Sequence, residues 1–189
     1  ENNAPPFGGV LTIQVDATES MDVLKPAIYS AAQAGFHTAW LLVTGPNGES
    51  RGIRFSLRVP KAATQQAKQV PTTTQPKSHW ANPSVTINPN KGLLFKAFDH
   101  VYGSEKGILI PCGVSGCTNG NYPYLELTRL ARRLKLDHPG DRAVLVKTTQ
   151  DVRVQDFVST LDALRDDQLT GSHHMEMFTD PILHFQEPS

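Results

Sequence analysis

The residues best equipped for chemistry lie in the second half of the chain. Cys112 and Cys117 enclose Gly-Val-Ser-Gly. Two thiols in a glycine-rich loop can close a small disulfide ring in an oxidising compartment, remain free, or ligate a metal. Two cysteines are too few for a disulfide scaffold or a four-cysteine zinc site, and a mixed zinc site would draw on His100 or His138, the nearest candidates in sequence. The same loop, Gly113-Val-Ser-Gly-Cys117, comes close to the Gly-x-Ser-x-Gly nucleophile elbow. Glycine is required where Cys117 stands, and Thr118 to Asn121 separate the serine from the following helix. A serine hydrolase is therefore not expected.

His173-His174-Met175-Glu176-Met177 joins imidazole and thioether groups, which suit copper. Adjacent histidines in a loop are more often solvated, so His173 and His174 are weak metal candidates, with Met175 and Met177 read as core edge. Arg129, Arg132, Arg133 and Lys135 form the one cationic run. On a helix, positions 129, 132 and 133 share a face opposite the leucine stripe. That face is either solvated or a contact for an anionic polymer or partner. No P-loop, dinucleotide fingerprint, zincin or EF-hand pattern occurs, and Asp99-His100 and Asp162 have no partner at a catalytic spacing. No catalytic residue and no cofactor is assigned.

Composition narrows the classes further. Eighteen Lys+Arg balance eighteen Asp+Glu over 189 residues, which argues against a phosphate-neutralising nucleic-acid groove. The longest apolar runs, such as Ala39 to Val43, fall far short of the roughly 20 residues of a membrane helix. Glu1-Asn-Asn-Ala-Pro-Pro has neither a charged n-region nor an apolar h-region and reads as the start of a processed or excised piece.

The elements that must position these residues follow from periodicity. Leu11, Ile13 and Val15 alternate as a strand; Met21, Leu24, Ile28 and Ala31 recur at helical spacing, and Gly35 stops the helix. Pro26 places the helix start no earlier than Asp22. Ala39 to Val43 reads as a buried strand, and Ile53, Phe55, Leu57 and Val59 as a returning one, giving a β-α-β-β unit over residues 1–59. Residues 60–83, rich in Pro, Gln and Thr, read as a flexible linker, with His79-Trp80 at its end free to dock on a neighbour. Over residues 84–189 the pattern gives strands at Ser84–Ile87, Gly92–Phe98 and Ile108–Pro111, and then a helix with Pro123 in its first turn. A strand at Ala143–Lys147, a helix carrying Val154, Phe157, Leu161 and Leu164, and a strand from Pro181 follow. The fold class is α/β, an α+β two-layer sandwich with one helical layer on one sheet.

An internal repeat is also legible. A shift of 133 positions lays Leu11 and Ile13 on Val144 and Val146, and Met21, Leu24, Ile28 and Ala31 on Val154, Phe157, Leu161 and Leu164. The second copy has a strand and a helix ahead of this segment, whereas the first opens on it. Half of the first copy is then expected upstream of Glu1 or on another chain.

Several stretches resemble the ExbD/TolR family. They are Tyr122-Pro-Tyr-Leu-Glu-Leu, Leu134-Lys-Leu-Asp-His-Pro, Ala143-Val-Leu-Val, Val154 to Arg165 with its Leu161-Asp-Ala-Leu-Arg, and Phe178-Thr-Asp-Pro-Ile-Leu. Val10 to Val43 is similar to the same segment of that family. The resemblance implies one partial and one complete ExbD/TolR-like periplasmic unit joined by the linker. The chain would be a non-enzymatic part of a proton-motive-force-driven transport or motility complex at the periplasmic face of the bacterial inner membrane. It implies homodimerisation, an ExbB/TolQ-like channel subunit engaged through a membrane helix missing here, and peptidoglycan or a TonB-like protein as partner. The periplasmic setting favours the disulfide between Cys112 and Cys117. The alternative is a periplasmic ligand- or metal-binding module.

Overall fold

The computed structural model describes residues 9–45, 47–57, 81–97, 106–113, 116–117, 120–149, 151–165 and 176–184. The element order is β1 (Val10–Asp16), α1 (Met21–Gln33), β2 (Thr38–Thr44), β3 (Ser50–Leu57), β4 (Ser84–Asn88) and β5 (Gly92–Lys96). There follow β6 (Ile108–Pro111), α2 (Tyr124–Asp137), β7 (Ala143–Thr148), α3 (Val154–Arg165) and β8 (Asp180–His184). The strands form one mixed sheet in the order β1-β2-β3-β8-β7-β4-β5-β6, and with the three helices they make an α+β sandwich.

Side-chain alternation sets which face of each strand is covered. Ala39, Leu41 and Val43 of β2 are buried, while Trp40 between them is 40% exposed. The expected buried strand is thus covered on one face only. Ile53, Phe55 and Leu57 of β3, Val85 and Ile87 of β4, and Val144 and Val146 of β7 point into the same core. Met21, Leu24 and Ile28 of α1, Leu127, Ala131 and Leu134 of α2, and Phe157, Leu161 and Leu164 of α3 close it from the helices. Each large side chain withdrawn from water there contributes roughly 1.5–3 kcal/mol. The ring of Phe157 meets that of Phe55 edge-on at 6.3 Å, joining α3 to β3.

Helix α1 starts one residue earlier than expected, and Pro26 sits inside it rather than in its first turn. Two contacts fix that start. The Ser20 hydroxyl accepts the Asp22 N–H at 3.2 Å, and the Met21 N–H donates to the Val152 carbonyl at 2.7 Å. Pro123 stands at the N-cap of α2, where its missing N–H costs little. Of the expected linker, residues 60–80, with His79-Trp80, lie outside the described residues, as does Val59 of the expected returning strand. Ala81 and Pro83 at its end are buried, and the Ala81 N–H donates to Asp141 Oδ2 at 2.8 Å.

The two halves of the chain join in this sheet through a short parallel pairing of β3 with β8, Ser56 opposite Ile182 and Leu57 opposite Leu183. The offset of 133 that aligns the apolar patterns also aligns element starts, Val10 with Ala143 and Met21 with Val154. Both β1-α1-β2 and β7-α3-β8 are parallel pairs of neighbouring strands.

Candidate interaction surface

Among the described residues, a polar cluster is built around the start of α3. Arg153 clamps Asp156 with two hydrogen bonds, Nε to Oδ2 at 3.0 Å and Nη2 to Oδ1 at 3.1 Å. The Asp156 side chain is 6% exposed, so the guanidinium is what compensates its desolvation. That hydrogen-bonded carboxylate holds the Arg153 guanidinium above its ordinary pKa. Gly120 lies against the pair with φ +83°, and a Cβ there would come within 3.2 Å of both Arg153 Nη2 and Asp156 Oδ1. Glycine is needed for the conformation and for the approach.

Two tyrosines complete the cluster. Their rings are 5.8 Å apart, and Tyr124 Oη donates to the Asp156 carbonyl at 3.4 Å. The Tyr122 hydroxyl is buried and has no hydrogen-bond partner among the described residues. Burial, reinforced by the Asp156 charge, pushes the Tyr122 phenol up to about 12 and the Tyr124 phenol higher still. Neither phenol supplies a base at neutral pH, and the Asp156 carboxylate is already occupied by Arg153. The chemistry of this cluster is positional.

Beside it, the turn between β1 and α1 meets the turn between β7 and α3. Ser20 and Arg153 form an isolated antiparallel bridge. The Met21 N–H donates to the Val152 carbonyl at 2.7 Å, and the Val154 N–H donates to the Glu19 carbonyl at 2.8 Å. Side chains extend the contact. Asp22 accepts the Asp151 N–H at 3.0 Å and the Lys25 ammonium at 2.5 Å, and Arg51 Nη2 pairs with Asp162 Oδ1 at 2.7 Å. Asp162, without a catalytic partner in the sequence, is therefore an ion-pair residue of the junction. The repeat predicts the correspondence, but periodicity alone gives no sign that the equivalent turns touch.

Cys112 and Cys117 are disulfide-bonded, with Cα atoms 5.2 Å apart. The bridge lies between β6 and α2, ahead of Gly120 and Tyr122 in the chain. Ser115 of the near-elbow, Asp99-His100 and His173-His174 with Met175 lie outside the described residues. Met177 is fully buried, in the core rather than at its edge. His138 caps the end of α2, and among the described residues no group of three His, Cys, Asp or Glu could hold a metal.

The cationic run divides. Arg129 and Arg133 are exposed, and Arg129 pairs with Glu126 one turn earlier; Arg132 is partly buried. Lys135 does not belong with them: it is 7% exposed, donates to the Asp141 carbonyl, and lies 5.8 Å from the Phe178 ring centroid. Burial holds its ammonium below the ordinary lysine range. Its position beside Leu134 puts the aliphatic stem in the core.

A cavity of about 330 Å³ is lined by Asn82, Gly140, Asp141, Arg142, Ala143 and Asp180. These residues stand at the N-terminal ends of β4, β7 and β8. Ligands of open α/β sheets bind outside the carboxyl ends. Among the described residues no helix is long and apolar enough to cross a membrane. No family model, curated protein or solved structure matches the chain.

Proposed function

We propose that this chain is the non-enzymatic periplasmic portion of an ExbD/TolR-like subunit in a proton-motive-force-driven transport or motility complex. It acts by dimerisation and by binding cell-wall or TonB-like partners. Its membrane partner is an ExbB/TolQ-like channel subunit, reached through the helix that the family carries ahead of this domain.

One observation carries the reading: the resembling motifs fall, in order, on the elements of a single unit. Leu134-Lys-Leu-Asp-His-Pro closes α2, Ala143-Val-Leu-Val opens β7, Leu161-Asp-Ala-Leu-Arg closes α3, and Phe178-Thr-Asp-Pro-Ile-Leu leads into β8. The role is mechanical, because the polar groups around α3 are spent on holding two copies of one unit together. Balanced charge suits protein and cell-wall contact better than nucleic acid.

Pelleting with purified peptidoglycan sacculi tests the cell-wall contact. Charge reversal at Arg129, Arg132 and Arg133 is expected to weaken pelleting, and unchanged pelleting would remove that helix face from the account.

A further inference from the structure

In the second copy, β7 has a neighbour on each side: β8, and β4, which pairs with it in parallel. In the first copy β1 pairs with β2, and among the described residues its other side is the end of the sheet. Side chains record the difference. Val144 and Val146 are 1% and 0% exposed, whereas Leu11 and Ile13 at the equivalent positions are only partly buried. On the helices, Asp156 and Thr160 are buried, while their counterparts Val23 and Ala27 are exposed, Val23 to 64%.

Among the described residues nothing covers the β1 edge, and its one charge, Asp16, stands at its end. It runs seven residues without Lys, Arg or Pro, whereas β6 at the opposite edge is only four residues long and ends in Pro111. The Ala17 N–H donates to Thr44 on β2 at 3.0 Å, so backbone alternation turns the N–H groups of Thr12, Gln14 and Asp16 to the open side. Their counterparts behave accordingly: the Leu145 N–H donates to Pro83 at 2.9 Å and the Thr149 N–H to Ile87 at 3.1 Å.

We propose that the β1 edge is the docking site for an extended segment of a second, different polypeptide, added as a parallel strand in the register of β4 on β7. Transferred through the repeat, Ser84-Val85-Thr86-Ile87 opposite Leu145 to Thr148 becomes a partner segment opposite Thr12 to Val15. The partner residues opposite Ile13 and Val15 are apolar, and those opposite Thr12 and Gln14 are small and polar. The segment is uncharged, since Val10 to Val15 offers no charge to pair with. The β4–β7 junction inside the chain is the precedent for the parallel direction; a closed dimer of two β1 strands would need the antiparallel one. This inference rests on the repeat and stands apart from the motor reading.

The probe is a blocked synthetic peptide of residues 82–90, Asn-Pro-Ser-Val-Thr-Ile-Asn-Pro-Asn. Added to the protein at millimolar concentration, it should slow hydrogen exchange at the Thr12, Gln14 and Asp16 amides by roughly tenfold or more. A peptide with Val85→Asp and Ile87→Asp should do nothing. A spin label at the peptide N-terminus should broaden residues near Thr12, and one at its C-terminus those near Asp16. Gln14→Pro removes an outward N–H and spares the β1–β2 ladder, so it should abolish protection at unchanged melting temperature. Absence of protection, reversed broadening, or protection already present through self-association that Gln14→Pro abolishes would each overturn the proposal.

Discussion

Ser20 and Arg153, which the repeat makes equivalent, are bridged to one another. The hydrogen bonds beside them are reciprocal: Met21 donates to Val152 and Val154 to Glu19, and each pair exchanges under the offset of 133. A contact between equivalent residues with exchanged donors is a local two-fold arrangement. The chain therefore holds, within one polypeptide, the kind of self-complementary contact that separate protomers use.

The Arg153–Asp156 clamp should be a principal support of that junction. Arg153→Met leaves a buried carboxylate without its partner and is expected to cost about 2–3 kcal/mol, measured by urea unfolding. Pairing it with Asp156→Asn should recover part of the loss. Additive losses would show that the two side chains do not act together.

The disulfide closes a short ring, for which chain entropy gives about 2 kcal/mol. The double variant Cys112→Ser, Cys117→Ser should lower the urea midpoint accordingly, and reductant should shift the wild-type protein alone. An unchanged midpoint in both would mean that the ring holds nothing.

Asp22 is held below its ordinary value of 3.8, chiefly by the Lys25 ammonium and also by the Asp151 N–H. Because the folded pKa is the lower one, its contribution is complete above about pH 4 and fades as pH falls through the folded value. Asp22→Asn should flatten the acid side of the stability profile below about pH 4. Parallel profiles for the two proteins would contradict this.

Tyr122 and Tyr124 should titrate late. Absorbance at alkaline pH should show both still neutral at pH 11, because the Tyr122 phenol is raised to about 12 and the Tyr124 phenol beyond it. Raised phenol values mean that their contribution is intact below about pH 10 and is lost as pH climbs through the folded values. Ionisation of Tyr122 and Tyr124 near pH 10 would place both phenols in water.

Much of the fold is legible in the sequence because short-range periodicity dictates it. Alternation in Leu11-Thr-Ile-Gln-Val and helical spacing in Met21, Leu24 and Ile28 name their elements directly. The long-range arrangement is not legible. Nothing in Ser56-Leu57 marks β8 as its neighbour, and that two-residue pairing joins the halves into one sheet. Single-residue environment is equally hidden. Lys135 reads as surface charge beside Arg132 and Arg133, yet it is buried against Asp141 and Phe178, residues whose positions only the tertiary fold supplies. The Arg153-x-x-Asp156 spacing suits an ion pair, but nothing in it marks Gly120 as the residue that packs against the pair.

The proposed function is work as part of a membrane motor. Its most direct test is to purify the native protein, at natural abundance, from detergent-solubilised membranes of its own cells and to identify what accompanies it in fixed ratio. The account predicts a polytopic ExbB/TolQ-like channel subunit, retained through size exclusion. Recovery of the native protein by itself, in the fraction released without detergent, would contradict it.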